Sequence, residues 1–124
     1  MKKLIKILTV LFATHTLEEE VTSFWKTDWS VQVASKALSL DPAIFYWLTQ
    51  TILYVFLLTL IFLPLKKAGR FLYPIVGVLL VLEFQHLWVA ISAGMYTSGV
   101  YTGTLLALFS IYFWGVYTRL NYKK

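Results

Sequence analysis

From Ala43 to Leu63 the chain runs through 21 residues without one charged side chain. At ~1.5 Å of rise per residue, a helix of that length crosses the ~30 Å hydrocarbon slab of a bilayer. Asp41-Pro42 supplies an N-cap and a proline suited to the first helical position, and Pro64 stops the run. Two further runs follow, Phe71 to Ile91 with Pro74 tolerated in its first turn, and Val100 to Thr118. A fourth, Leu4 to Val21, comes first and has a second half polarised by His15 and the glutamates. Hydrophobic residues make up 59% of the chain and charged ones 14%, with a mean hydropathy of +0.71, whereas a soluble domain carries about 25% charge. A single water-soluble core cannot hide so much apolar surface at this length. The expected fold is an all-α integral membrane four-helix bundle, with residues 1–124 forming a single four-span transmembrane domain (spans about 4–21, 43–63, 71–91 and 100–118) and a short external interfacial helix.

The net charge of +5 is unevenly distributed. In a four-span arrangement Lys2, Lys3, Lys6, Lys66, Lys67, Arg70, Arg119, Lys123 and Lys124 fall on one side, and only Lys26 and Lys36 on the other. The positive-inside rule then places both termini in the cytoplasm. Basic residues spent on topology and on anionic headgroups leave no patch for nucleic acid, so the partners expected are membrane lipids and a second copy of the chain, packed through Gly/Ala faces. Charge asymmetry and brevity point to a bacterial inner membrane. Lys2-Lys3 before a short apolar run also resembles a signal peptide, but no A-x-A site follows and cleavage would remove His15 and its neighbours. The absence of cysteine excludes disulfides, thiolate ligands and cysteine nucleophiles.

The segment from Thr22 to Leu40 is more than a linker. Val33, Ala34, Ala37 and Leu38 recur at helical spacing opposite Gln32, Ser35, Lys36 and Ser39, after Trp25 and Trp29. This predicts a short amphipathic helix in the outer headgroup region. Tyr112, Trp114 and Tyr117 are expected to anchor the last helix near the cytoplasmic interface, with Gly77 a packing notch, Gly99 a turn and Gly103 a tight helix contact.

Two ionisable clusters interrupt the apolar runs: His15-Thr16-Leu17-Glu18-Glu19 and Glu83-Phe84-Gln85-His86. A carboxylate at the centre of a bilayer costs at least about 3 kcal/mol even on the forgiving insertion scale, so intramembrane ionisable groups are functional by default. Both clusters lie roughly 18 to 24 Å from the inner boundary of parallel helices, and can face each other. His15, Glu18 and Glu19 are spaced i, i+3, i+4 on one face while Glu20 points away; Glu83 and His86 are i, i+3. Gln50, Tyr54, Tyr101 and Thr104 fall near the same level.

Three kinds of chemistry suit such a pocket. A divalent metal (zinc, iron or manganese) would neutralise the acids and activate a water for hydrolysis or another transformation of a lipid-like substrate. In that scheme His15, Glu18, Glu83 and His86 are ligands, Glu19 is the catalytic base, and Gln50, Tyr54 and Tyr101 orient substrate. Without a metal, Glu-His pairs would support proton chemistry or transport. The third reading is a set of satisfied pairs that locks two helices together.

The stretch His15-Thr16-Leu17-Glu18-Glu19 resembles the signature of the HXXEE-motif family of small membrane proteins. The resemblance extends to Gln85-His86-Leu87 and to Tyr96-Thr97-Ser98-Gly99-Val100-Tyr101-Thr102. It implies roles for His15, Glu18, Glu19 and His86 in an integral membrane protein, and it supplies no reaction. Glu83 departs from the family pattern, which has a polar amide upstream of the second histidine.

Overall fold

The computed structural model describes residues 1–62 and 69–122. Leu63, Pro64, Lys66, Lys67, Lys123 and Lys124, to which the sequence assigns a helix stop and topogenic charge, lie outside the described residues. The described chain is all-helical: α1 (Lys2–Val21), α2 (Phe24–Thr27), α3 (Trp29–Ala37), α4 (Pro42–Phe62), α5 (Gly69–Leu82), α6 (Phe84–Ala93) and α7 (Val100–Tyr122). Three stretches are long and apolar enough to cross a membrane, namely Pro42–Phe62, Phe71–Ala93 and Val100–Leu120. Helix α1 is as long, but its lysines and glutamates lower its hydropathy, so composition alone shows three candidate spans where the sequence suggested four.

Helix α1 packs between α4 and α7, and α5 and α6 pack along α7. Their shared core is built from Ile5, Leu8 and Phe12 of α1, Leu57 and Leu60 of α4, Val76 and Leu80 of α5, and Leu106 and Phe113 of α7. The α1 members step by three and four residues, and the same stripe continues into buried His15 and Glu19. The core of the bundle thus changes from apolar to ionisable along one helix face. On the opposite face Ile7, Val10, Leu17 and Val21 repeat the same step and are exposed. Ile44, Ile52, Val55 and Phe62 of α4 and Leu105, Leu108 and Ile111 of α7 are likewise exposed, and large exposed apolar surface marks membrane or partner contact.

Asp41 caps α4 as the sequence suggested, its Oδ1 accepting the Ala43 and Ile44 amides at 2.8 and 3.3 Å. The third span differs from expectation in two respects. It begins at Gly69, so Pro74 lies past the first turn, and it breaks at Glu83. There Glu83 N bonds Leu80 O at 3.3 Å and His86 N bonds Glu83 O at 3.2 Å, the i to i−3 pattern of a 3₁₀ turn. Such a turn stacks residues three apart over each other, which is what aligns Glu83 with His86. Gly77 is a packing notch: an added Cβ would lie 2.5 Å from the Trp114 ring, whose Nε1 donates to Gly77 O at 3.3 Å.

The segment between α1 and α4 holds two short helices. Asp28 caps α3 by accepting the Ser30 and Val31 amides. Val31 and Ser35 are buried, while Trp29, Val33 and Leu38 are exposed. Ser35, expected on the polar face, is buried where α3 packs on α4, and its hydroxyl is satisfied by donating to Gln32 O at 3.1 Å. The apolar face therefore looks away from the rest of the protein.

Candidate metal centre

The stripe on α1 and the break at Glu83 bring four side chains to one point. His15 Nε2 lies 3.3 Å from Glu19 Oε1 and 3.1 Å from Glu83 Oε2. His86 Nε2 lies 3.7 and 3.6 Å from the same two oxygens. His15, Glu19 and His86 are 3–5% exposed, so bulk water does not screen the cluster. His15, Glu83 and His86 each offer a ligand atom within 4.8 Å of the other two, and Glu19 Oε1 faces both imidazoles from the remaining side.

The outer contacts decide which imidazole nitrogen is free. His86 Nδ1 is 3.0 Å from the Ser98 carbonyl, which can only accept, so a neutral His86 carries its proton on Nδ1. His15 Nδ1 is 2.8 Å from Thr102 Oγ1, whose own hydrogen goes to Glu18 Oε2 at 2.5 Å. Thr102 therefore accepts from His15 Nδ1–H. Both Nε2 lone pairs are then turned toward the centre, the orientation that carboxylate or carbonyl partners impose on metal-ligating histidines. Glu19 is held similarly: its Oε2 accepts from Tyr46 Oη at 3.0 Å and from Gln50 Nε2 at 3.4 Å, leaving Oε1 for the centre.

Two lone pairs and two carboxylate oxygens facing each other repel unless a cation or protons lie between them. Glu83 Oε2 is buried without a hydrogen-bond partner, although His15 Nε2 is only 3.1 Å away. The two imidazole separations from Glu83 Oε2, 3.1 and 3.6 Å, bracket the edge of ~3.3 Å expected for a tetrahedron with bonds of about 2.0–2.1 Å to zinc. The group can hold a divalent metal ion. Gly99 closes the outer side: a Cβ there would lie 2.9 Å from both His15 Cε1 and His86 Cε1.

The structure redistributes several expected roles. Glu18 is not at the centre. Its carboxylate caps the start of α7, taking Thr102 N at 2.9 Å, Tyr101 N at 3.3 Å, Thr102 Oγ1 and the Tyr96 hydroxyl at 2.8 Å. This follows from the α1 stripe, whose three-and-four step selects Glu19 and leaves Glu18 on the flank beside α7. The carboxylate and burial together push the Tyr96 phenol up to about 12, burial being the larger cause. Tyr101, expected to orient substrate, is 71% exposed and stacks on Tyr96 at 5.3 Å. Gln50 and Tyr54 stand behind the centre, where Gln50 holds Glu19 and Tyr54 bonds Thr16 Oγ1 at 2.7 Å. Thr104 bonds its own helix at Val100 O, 2.6 Å away. Sequence reasoning missed Tyr46, Ser98 and Thr102. Tyr46 was within reach, since it lies four residues before Gln50 and eight before Tyr54 on one helical face.

Comparison with known proteins matches the chain to no family model, no curated protein and no solved structure.

The relay from Glu18 through Thr102 to His15 has a measurable consequence. Thr102→Val keeps the shape and removes the hydroxyl, and loss of such an outer partner weakens metal affinity by about 10–100-fold. Competition with a chelator will measure it. An affinity equal to wild type would mean that Thr102 does not orient His15.

Proposed function

We propose that the chain is a four-span membrane protein of the HXXEE-motif kind, carrying one divalent metal, zinc in the first instance, in the outer half of its bundle. The inferred orientation has both termini on the cytoplasmic side of a bacterial inner membrane. The observation that carries the metal assignment is the convergence of two outward-pinned imidazoles on two carboxylate oxygens in a buried site. Inclusion of α1 among the spans rests on its exposed apolar face. The lysines at its start would sit at one interface, and Glu18 is neutralised in effect by the α7 amides.

In this reading His15, Glu83 and His86 are the ligands, a two-histidine, one-carboxylate set of the kind catalytic zinc sites use while keeping a fourth position open. Bound there, the cation would polarise a carbonyl oxygen or make a water more acidic. Glu19 occupies the side of the open position. Tyr46 and Gln50 fix its Oε2, so Oε1 is placed to accept a proton from a water beside the two imidazoles. The substrate class is lipid-like, because the site lies between helices whose exteriors are apolar.

Elemental analysis of detergent-purified protein tests the assignment. Wild type and Glu19→Gln are expected to retain about one equivalent of metal and Glu83→Gln to lose it, since only Glu83 serves as a ligand. Equal loss in both carboxylate variants would make Glu19 a fourth ligand and the site a closed, structural one. A metal-free wild type would leave Glu-His proton chemistry as the explanation.

A further inference from the structure

Beside the centre, a cleft of about 530 Å³ opens between the start of α3, helix α6 and the turn before α7. His86 and Ser98 form its inner end, and Phe24 lies against the His86 ring at 5.4 Å. Trp29 and Trp88, 68% and 71% exposed, stand at its rim. Its size falls within the ~300–1,000 Å³ of ligand sites, which combine apolar walls with a few placed polar groups. A second groove of about 350 Å³ shares Gln85 and Trp88 with it and continues over Phe84, Leu87 and Ile91 of α6. We take the two, which adjoin at Gln85 and Trp88, as one track, with His86, Thr97 and Ser98 in the walls of the first and Phe84, Leu87 and Ile91 in those of the second.

We propose that this track binds a neutral, long-chain amphiphile with its polar end against His86, a proposal that rests on the membrane-embedded His/Glu centre described above. The track's shape selects the apolar tail. Its charge selects the head: among the described residues no lysine or arginine lines either groove, and the one acid, Asp28, already accepts the Ser30 and Val31 amides. A phosphate or carboxylate head would be desolvated there without a free counter-charge, which is costly, because the Glu19 and Glu83 carboxylates already balance the two charges of a divalent ion at the centre. An ester, amide or alcohol head would instead find donors. Gln85 lines both grooves, and Thr97 in the cleft wall has a buried hydroxyl oxygen with no hydrogen-bond partner among the described residues, so a rotation about its χ1 offers that hydrogen to a head group. The polar end of such a molecule comes within reach of His86 while its chain remains on the lipid side of α6.

Full-length protein in phosphatidylcholine nanodiscs, titrated with 1-oleoylglycerol and with 1-oleoyl lysophosphatidate, tests this. The glycerol ester is expected to bind at least about tenfold more tightly, a difference of ~1.4 kcal/mol. Val89→Trp, which fills a cleft wall, should abolish that binding and leave the metal content at the wild-type value. Thr97→Val should weaken it while also keeping the metal. Equal or tighter binding of the phosphate-bearing lipid would overturn the proposal, as would Val89→Trp and Thr97→Val proteins that bind like wild type. Metal-loaded protein that binds neither lipid refutes the track and spares the metal centre. Metal-free protein that binds oleoylglycerol in a Val89- and Thr97-dependent way refutes the metal centre and spares the track.

Discussion

Replacing His86 by alanine is expected to abolish metal retention and to erase the stabilisation that a chelator removes from the wild-type protein. A ligand present at a thousand times its Kd stabilises the folded state by about 4 kcal/mol. Wild-type thermal unfolding in detergent should therefore shift down on addition of a chelator. In His86→Ala the shift should vanish, because the metal is already gone. The variant should also unfold earlier than chelated wild type. Glu19 Oε1 and Glu83 Oε2 lose one of the two imidazoles between them, and removing one partner of a buried ionic group costs about 3–5 kcal/mol. Paired melting curves with and without chelator supply the measurement. A wild type insensitive to chelator, or a His86→Ala protein with the full wild-type shift, would refute the centre.

Gly99→Ala should be nearly as damaging, although the position is neither charged nor a ligand. Gly99 adopts φ +78°, and a Cβ there would sit 2.9 Å from atoms of both imidazoles. The left-handed backbone costs an L-residue about 1–2 kcal/mol, and overpacking a tight site adds ~1–3 kcal/mol. Gly94 provides the control. Its φ is +64°, yet nothing lies within 4 Å of its would-be Cβ, so Gly94→Ala carries only the backbone cost. Gly99→Ala should lose both stability and metal, whereas Gly94→Ala should lose a little stability and keep its metal. Identical behaviour of the two would show that the imidazoles are not crowded against residue 99.

The meeting of the two clusters was legible because helical rise alone puts them at one depth, and the coordinates place His15 beside Glu83. The choice between Glu18 and Glu19 was also present in the sequence. Extending Ile5, Leu8 and Phe12 by the same steps reaches His15 and Glu19, but the i, i+3, i+4 grouping hid the distinction. The contribution of α7 was not legible. Which of Tyr101, Thr102 and Thr104 turns inward depends on the turn before α7, where Gly94 and Gly99 take positive φ, and no periodicity carries across such a turn. The break at Glu83 was hidden as well, since Glu83 and His86 at i, i+3 share a face of a continuous helix just as they do across a 3₁₀ turn. The cleft lies between α2–α3, which pack on α4, and α6, which packs on α7, an arrangement that local pattern does not encode.

The division of labour within the centre has a consequence for biogenesis. Its coordinating atoms are supplied by α1, by the break at Glu83 and by α6, but the partners that aim both imidazoles, Ser98 and Thr102, come only with the turn before α7 and the start of that helix. A nascent chain that has not yet produced that helix owns every ligand and no receptor for the ion. With the metal bound as proposed, loading would be the final act of assembly, and a truncated or wrongly threaded product would stay empty. Occupancy by the cation would mark the copies whose insertion has been completed.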